Sequence, residues 1–214
     1  MPRATLDHLV VAANRLADGV RHVASALGIE PSPGGRHEYM NTHNAVLRLG
    51  PQTYLEIIAI DPDAGPADAP RWFDLDGRET RAKLEERPRL LTWVARCEDL
   101  EAVSEAAPWD TGPIRRMYRG RMTWRIAFPE SGHLREQGLL PPLIEWDIGS
   151  THPASRMIDV GCRLAAFRAH HPNPEDIRHA LATIGLDTDL EISEGKETRL
   201  EAMIETPDGP RTLT

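Results

Sequence analysis

No run of the roughly 18 apolar residues needed to cross a membrane occurs in this chain of 214 residues. The start, Met1 to His8, lacks the apolar core of a signal peptide. Basic residues are not in excess. The formal charge is -8, which argues against tracking nucleic-acid phosphates. Cysteine is scarce: Cys97 and Cys162 lie far apart and form no CxxC, so neither a zinc ribbon nor a disulfide framework is indicated. Two free thiols suit a cytoplasmic protein. Aromatics make up only 5% of the chain, and no tryptophan follows Trp146. The C-terminal part therefore lacks the side chains that most often build ligand pockets. What remains is the composition of an ordinary globular protein, with no membrane and no nucleic-acid partner expected.

The chain does hold a repeat. "LDHLVVAANRLADGVRHVASALGI" (residues 6–29) runs from an apolar strand into a helix ending at Gly28. "CRLAAFRAHHPNPEDIRHALATIGL" does the same and ends at Gly185. A fainter copy, "LLTWVARCEDLEAVSEAA", lies between them. Each is followed by further strand signals: "RHEYMNTHNAVLRLG" with "QTYLEIIAI", then "GPIRRMYRG", "MTWRIAFP" and "PPLIEWDI", then "DLEISEG", "TRLEAMIETP" and "PRTLT". The unit is βαβββ, at about 5–60, 89–149 and 160–214. The connection 61–88 reads as a loop with one short helix, "ETRAKLEE", and a loop of that length often covers a site. The fold class is α+β, with residues 1–152 forming one domain and 153–214 a third, appended module.

Strand alternation selects the chemical residues. His8, Val10 and Ala12 share one face of the first strand. Glu56 sits mid-strand between Leu55 and Ile57, and Glu145 sits between Ile144 and Trp146. A carboxylate in an apolar strand is costly without a partner or a task. His8, Glu56 and Glu145 together offer hard oxygen and imidazole donors of the kind a divalent metal needs. Asn44 and Arg125 are aimed into the same cavity and suit a carbonyl or carboxylate substrate. Trp93, Trp124 and Trp146 are expected as apolar walls. His37, His170 and His171 read as surface residues, and His43 has the wrong parity for the cavity.

"DHLVV", "YLEII" and "LIEWD", in this order within repeated βαβββ units, resemble the vicinal oxygen chelate superfamily. "GGRHEYMNTHNAVLRLG", "PRLLTW", "MTWRIAFP" and "LLPPLIEW" look more closely like its glyoxalase-like domain family. The resemblance covers roughly residues 5–150. It implies two modules paired into a cupped sheet, often holding a divalent metal through the first and last strands of each module. His8, Glu56 and Glu145 then stand as metal ligands, Glu56 and Glu145 as catalytic carboxylates, and Asn44, Thr92, Trp93, Trp124 and Arg125 as substrate contacts. Thr92 occupies the place where the resemblance expects His or Gln. Three readings follow: a glyoxalase-like enzyme acting on a small oxygenated metabolite, with or without a divalent metal and with no organic cofactor expected; a metal-free protein that sequesters a small molecule; or a vestigial cup in a chain that acts as an interaction module through its third repeat. The third module carries Ala165 where the first has His8. It is expected either to cover the outside of the paired modules or, preferably, to meet its copy in a homodimer.

Overall fold

The computed structural model describes residues 2–147, 149 and 151–214. Its elements are β1 (Ala4–Ala12), α1 (Leu16–Leu27), β2 (Ser32–His37), β3 (Thr42–Arg48) and β4 (Tyr54–Ile60), then α2 (Arg78–Glu86). There follow β5 (Arg89–Cys97), α3 (Leu100–Ala106), β6 (Ile114–Arg119), β7 (Met122–Ala127), β8 (Leu143–Trp146) and α4 (Pro153–Arg156). The last unit is β9 (Arg163–His171), α5 (Pro174–Thr183), β10 (Leu190–Glu194), β11 (Arg199–Thr206) and β12 (Gly209–Leu213). The chain is α+β, as expected.

The first two units share one mixed sheet, ordered β2-β3-β4-β1-β5-β8-β7-β6. Its centre is the antiparallel pair β1/β5, and each of these strands runs parallel to the last strand of its own unit, β4 and β8. The halves are thus related by a pseudo-twofold between β1 and β5. Where the sequence suggested one continuous strand signal from Arg36 to Gly50, the structure has a hairpin. Its turn passes through Asn41, whose φ of 49° lies in the left-handed region that Asn tolerates.

The third unit repeats the order of elements and changes the pairing. Here the first strand, β9, pairs in parallel with the strand that directly follows its helix, β10, in a separate sheet β10-β9-β11-β12. It is therefore a different fold of the same βαβββ string. Its apolar face packs on the helix-bearing side of the large sheet within the same chain. Leu9, Val11, Trp93, Phe167, Ala169 and Ile204 belong to one buried cluster, and the Trp93 and Phe167 rings lie 5.8 Å apart. Main-chain bonds tie the start of β1 to the turn after α5, from Ala4 N to Gly185 O (3.3 Å) and from Asp187 N to Ala4 O (2.7 Å).

The other side of the large sheet is concave, and a second apolar cluster lines it: Val10, Ile58, Val94, Ile126 and Ile144, with Trp72, Phe73, Leu75 and Leu84 packed over them. The last four come from the 61–88 connection, which therefore closes over the cup. Phe73 and Asp74 both have φ near +55°, a conformation that ordinary side chains resist. Asp74 is held there by Gly132 O on its N–H (2.8 Å) and by Thr80 and His133 on its carboxylate. Gly132 cannot carry a side chain, because a Cβ would stand 2.0 Å from Arg71 O. This clamp holds the Trp72–Phe73 wedge in place.

Candidate functional site

The cup ends in a cleft of about 380 Å³ lined by His8, His37, Asn44, Tyr54, Glu56, Trp72, Phe73, Arg119, Trp124, Ile126, Ile144 and Trp146. Its polar floor comes from one local irregularity. In the β1/β5 ladder the register skips between Leu6 and His8, leaving Asp7 in a bulge. Asp7 and His8, neighbours that ordinary alternation would send to opposite faces, thereby meet: His8 Nδ1 lies 2.7 Å from Asp7 Oδ1. The other Asp7 oxygen accepts from Trp146 Nε1 (2.9 Å) and lies 3.0 Å from His152 Nε2. Asp7 is fully buried. It fixes the His8 ring so that Nε2 faces the cleft, and Tyr54 stacks on that ring with centroids 4.6 Å apart.

Glu56, paired with Val10 in the parallel β1/β4 ladder, stands beside it. Its Oε2 lies 3.6 Å from His8 Nε2, and its Oε1 accepts from Asn44 Nδ2 at 2.5 Å. Asn44 is oriented in turn, since Gly35 N–H donates to its Oδ1 at 2.8 Å. A Cβ on Gly34 would fall 2.0 Å from that oxygen, so the close approach needs glycine. His37 Nε2 lies 3.9 Å from Glu56 Oε1, and Thr42 Oγ1 holds its other nitrogen at 3.1 Å. Arg119, at the end of β6, points Nη1 toward His37 Nε2 (3.2 Å) and Asn44 Oδ1 (3.4 Å).

Electrostatics separate the two histidines. Burial opposes a charge on His8, but its hydrogen bonds to Asp7 and Glu56, and the charges of both, outweigh burial and lift its pKa to about 9. Burial pulls His37 down to about 4, and the charges of Arg119 and His8 add to that against the upward pull of Glu56. Burial also disfavours the Glu56 carboxylate, yet His8, His37 and Asn44 hold it down at about 2. Asp7 is likewise held low by His152 and His8 against its burial. At neutral pH the cleft thus holds an imidazolium, a carboxylate, a neutral imidazole and a guanidinium. Burial and the nearby charges of Asp7 and Glu56 push the Tyr54 phenol up, so it stays protonated.

Several expected residues lie elsewhere. Glu145 is on the opposite face of the sheet, where it accepts from Leu100 N–H (2.8 Å) at the start of α3 and from Arg125 Nη2 (2.7 Å). The expected convergence of His8, Glu56 and Glu145 is therefore absent. The register explains the slip. Leu9 pairs with Leu55 in the first half and Ala95 with Leu143 in the second, all on the helix side. The equivalent of Glu56 is then Ile144, and that of His8 is Val94. A displacement of one residue moves a side chain to the other face. The same slip corrects Arg125, which bonds to Glu101 and Glu145 outside the cup. Trp93, expected as a wall of the cup, alternates with Thr92 and Val94 and so is buried on the helix side, with Nε1 donating to Leu139 O (3.0 Å). Thr92 is buried off the cleft and donates to Gly138 O (2.8 Å).

His8, Glu56, Asn44, Trp124 and Trp146 do meet in the cleft. His37, expected at the surface, is 8% exposed and lines it; His171 is buried too, 3.2 Å from Glu136. Asp7, Tyr54, Trp72, Phe73 and Arg119 were not singled out. For Arg119 a signal existed: Met117 pairs with Trp124 and Arg119 with Met122 in the β6/β7 hairpin, so Arg119 shares the Trp124 face. For Asp7 there was none, because a bulge is invisible in alternation.

The four strand positions from which the resemblance draws metal donors hold His8, Glu56, Val94 and Ile144. Two are apolar, and a cation already stands at the open side of His37. Among the described residues no group of three or more His, Cys, Asp or Glu is arranged to hold a metal ion. The residues present do not fit the divalent centre expected of His8, Glu56 and Glu145.

A model of the glyoxalase-like domain matches residues 6–185. The chain belongs to this family. A hypothetical protein from Staphylococcus aureus superposes with a TM-score of 0.61 at 13% identity, over 92% of this chain and 88% of that one. Methylmalonyl-CoA epimerase from Mycobacterium tuberculosis matches with a TM-score of 0.39 at 16% identity, over 67% of this chain and 88% of that one. A Streptomyces coelicolor methylmalonyl-CoA epimerase variant in complex with 2-nitronate-propionyl-CoA gives 0.41 and 17%, over 68% and 96%. No curated protein matches. No helix among the described residues of this family member is long and apolar enough to cross a membrane.

Proposed function

We propose that the cleft is the active site of a glyoxalase-like enzyme acting on a small, oxygenated, anionic metabolite with an apolar or aromatic body. One observation carries this reading: a carboxylate, Glu56, is held 3.6 Å from a histidine fixed from behind by a buried aspartate, inside a tryptophan-walled cleft. Arg119 has no carboxylate within ion-pair distance among the described residues, so its charge is free to meet a substrate carboxylate or carbonyl. Trp72, Trp124 and Trp146 supply faces for the apolar part.

The chemistry follows from the pair. Glu56 is a weak base while His8 holds its charge. A substrate oxygen that takes over the His8 Nε2–H removes part of that hold, so Glu56 becomes more basic once the site is filled. When that oxygen is a carbonyl oxygen, a proton on the carbon next to the carbonyl carbon then moves to Glu56 Oε2. The C–H electron pair becomes the C=C bond of an enolate and the carbonyl π pair moves onto the oxygen, where His8 and Arg119 stabilise the developing charge. In an α-hydroxy carbonyl substrate, the hydroxyl proton of the first carbon passes to the new oxyanion, and return of the Glu56 proton to the former carbonyl carbon completes an isomerisation. Asn44 keeps the other oxygen of Glu56 in place.

The second reading, a metal-free binding protein, draws on the missing donors in the second half of the cup. One variant separates the two. Glu56→Gln keeps the shape and removes the base. For an enzyme, turnover in a screen of small keto and hydroxy acids falls at least a hundredfold while affinity changes less than tenfold. For a binding protein, affinity changes and no turnover exists to lose. Unchanged binding together with a large loss of thermal stability marks Glu56 as half of a structural ion pair and rejects both. The preferred homodimer through residues 160–214 loses its reason, because the apolar face of that unit packs on the large sheet of the same chain; ultracentrifugation of the full chain checks the oligomeric state.

A further inference from the structure

We propose that the groove where α2 and the start of β5 meet the β10–β11 turn binds a phosphate group. This groove, about 520 Å³, is lined by Lys83, Arg87, Arg89, Thr198 and Arg199 and shares no residue with the cleft. Four basic side chains converge there in a chain whose formal charge is -8. Their acidic partners are sparse. Neither Lys83 nor Arg87 makes an ion pair among the described residues. Arg89 reaches only Glu86, at 3.6 Å, and Glu86 is 76% exposed. Arg199 reaches Glu201 only at 4.0 Å.

The groove is also organised. Arg89 Nη2 donates to Lys83 O at 3.0 Å, which fixes the guanidinium against the end of α2. Arg87 Nη1 approaches Thr214 Oγ1 at 3.5 Å. Leu90 and Leu200 form a buried floor. Both the Arg89 Nε and the Thr198 hydroxyl are buried without a hydrogen-bond partner. Burial and then the Arg87 charge lower the pKa of Arg89, so these cations repel one another as they stand. A dianionic tetrahedral ligand cancels that repulsion and offers acceptors in several directions, which suits guanidinium forks. The shared chemistry is the phosphate group, either free or on a small ester.

The test is calorimetric titration of the full chain at constant ionic strength, once with inorganic phosphate and once with glycerol 3-phosphate. We expect saturable binding of one ligand per chain, weakened tenfold or more in the Arg87→Gln, Arg199→Gln double variant and unchanged in Arg119→Gln. Tighter binding of the ester assigns the groove to phosphate esters, and tighter binding of the free ion assigns it to phosphate itself. Non-saturating heat, or equal affinity in the wild type and the double variant, overturns the proposal. So does loss of binding in Arg119→Gln alone, which places the ion in the cleft. If the double variant fails to fold, Lys83→Gln, an exposed position, takes its place with a loss of about threefold expected, and no loss overturns the proposal.

Discussion

The two halves of the large sheet have the same topology and opposite characters. The first half gives the cleft His8, His37, Asn44, Tyr54 and Glu56. The second gives it Trp124, Ile126, Ile144 and Trp146, with Arg119 as its one charge. At the positions related by the pseudo-twofold, His8 faces Val94 across the ladder and Glu56 corresponds to Ile144. A cup of symmetric topology thus has a polar, charged wall opposite a largely aromatic and aliphatic one. The difference teaches that pairing two modules conserves a shape, while the donors on each half vary independently. A centre needing ligands from both halves is lost by two apolar residues; a histidine–carboxylate pair confined to one half is not.

The most disruptive way to break this comparison is to attack the polar half from behind. Asp7→Asn removes the buried charge that holds His8, and breaking a buried pair costs about 3–5 kcal/mol. Chemical denaturation should show that loss, with the midpoint shifted and the slope unchanged. The corresponding polar pair on the outer face of the second half, Glu145 with Arg125, is partly exposed and should matter less. Glu145→Gln is expected to cost about 1 kcal/mol while leaving ligand affinity in the cleft within twofold. A large drop in affinity would mean that Glu145 reaches the site after all.

Between these lies Gly34→Ala. The added methyl must displace the Asn44 amide, so Glu56 loses its 2.5 Å partner. Turnover or ligand affinity should fall about tenfold, with the fold retained by circular dichroism. The smallest effect, and the sharpest in assignment, is titration. Two-dimensional NMR of the imidazoles should find His8 titrating near pH 9 and His37 near pH 4. The signs differ. The His8 pKa is raised from 6.5, so its contribution to stability is complete below pH 6.5 and is lost as pH rises through about 9. The pKa values of His37 and Glu56 are lowered, from 6.5 and 4.5. Their contributions are present above those values and are lost as pH falls toward about 4 and about 2. Stability should therefore fall on both sides of about pH 6.5, more shallowly in Asp7→Asn on the alkaline side. Equal titration of the two histidines would contradict the asymmetry between them.

Much of this was legible in the order of residues. Alternation in "LDHLVVA" and "YLEIIAI" put His8 and Glu56 on one face, and both line the cleft. The same reasoning failed for "LIEWD", because Glu145 looks like Glu56 in composition and only the pairing of Ala95 with Leu143 shows the one-residue offset. Parity also failed at Asp7, where the ladder skips. His37 looked like a loop residue, since "RHEYMNTHN" hides a tight hairpin whose first strand ends at His37.

Sequence by itself determined the βαβββ units, because apolar periodicity is a local property and each strand or helix writes its own. It also determined that the third unit carries no copy of the His8 chemistry. Tertiary structure decided which strand pairs with which, and so made the third unit a different sheet from the same string of elements. It decided that Asp7 turns inward, that Arg119 arrives from the far hairpin, and that Trp72 and Phe73 close the cup. Each of these depends on register or on contacts between residues distant in the chain. A single step of register reverses the face of every side chain on a strand, and no local pattern records that step.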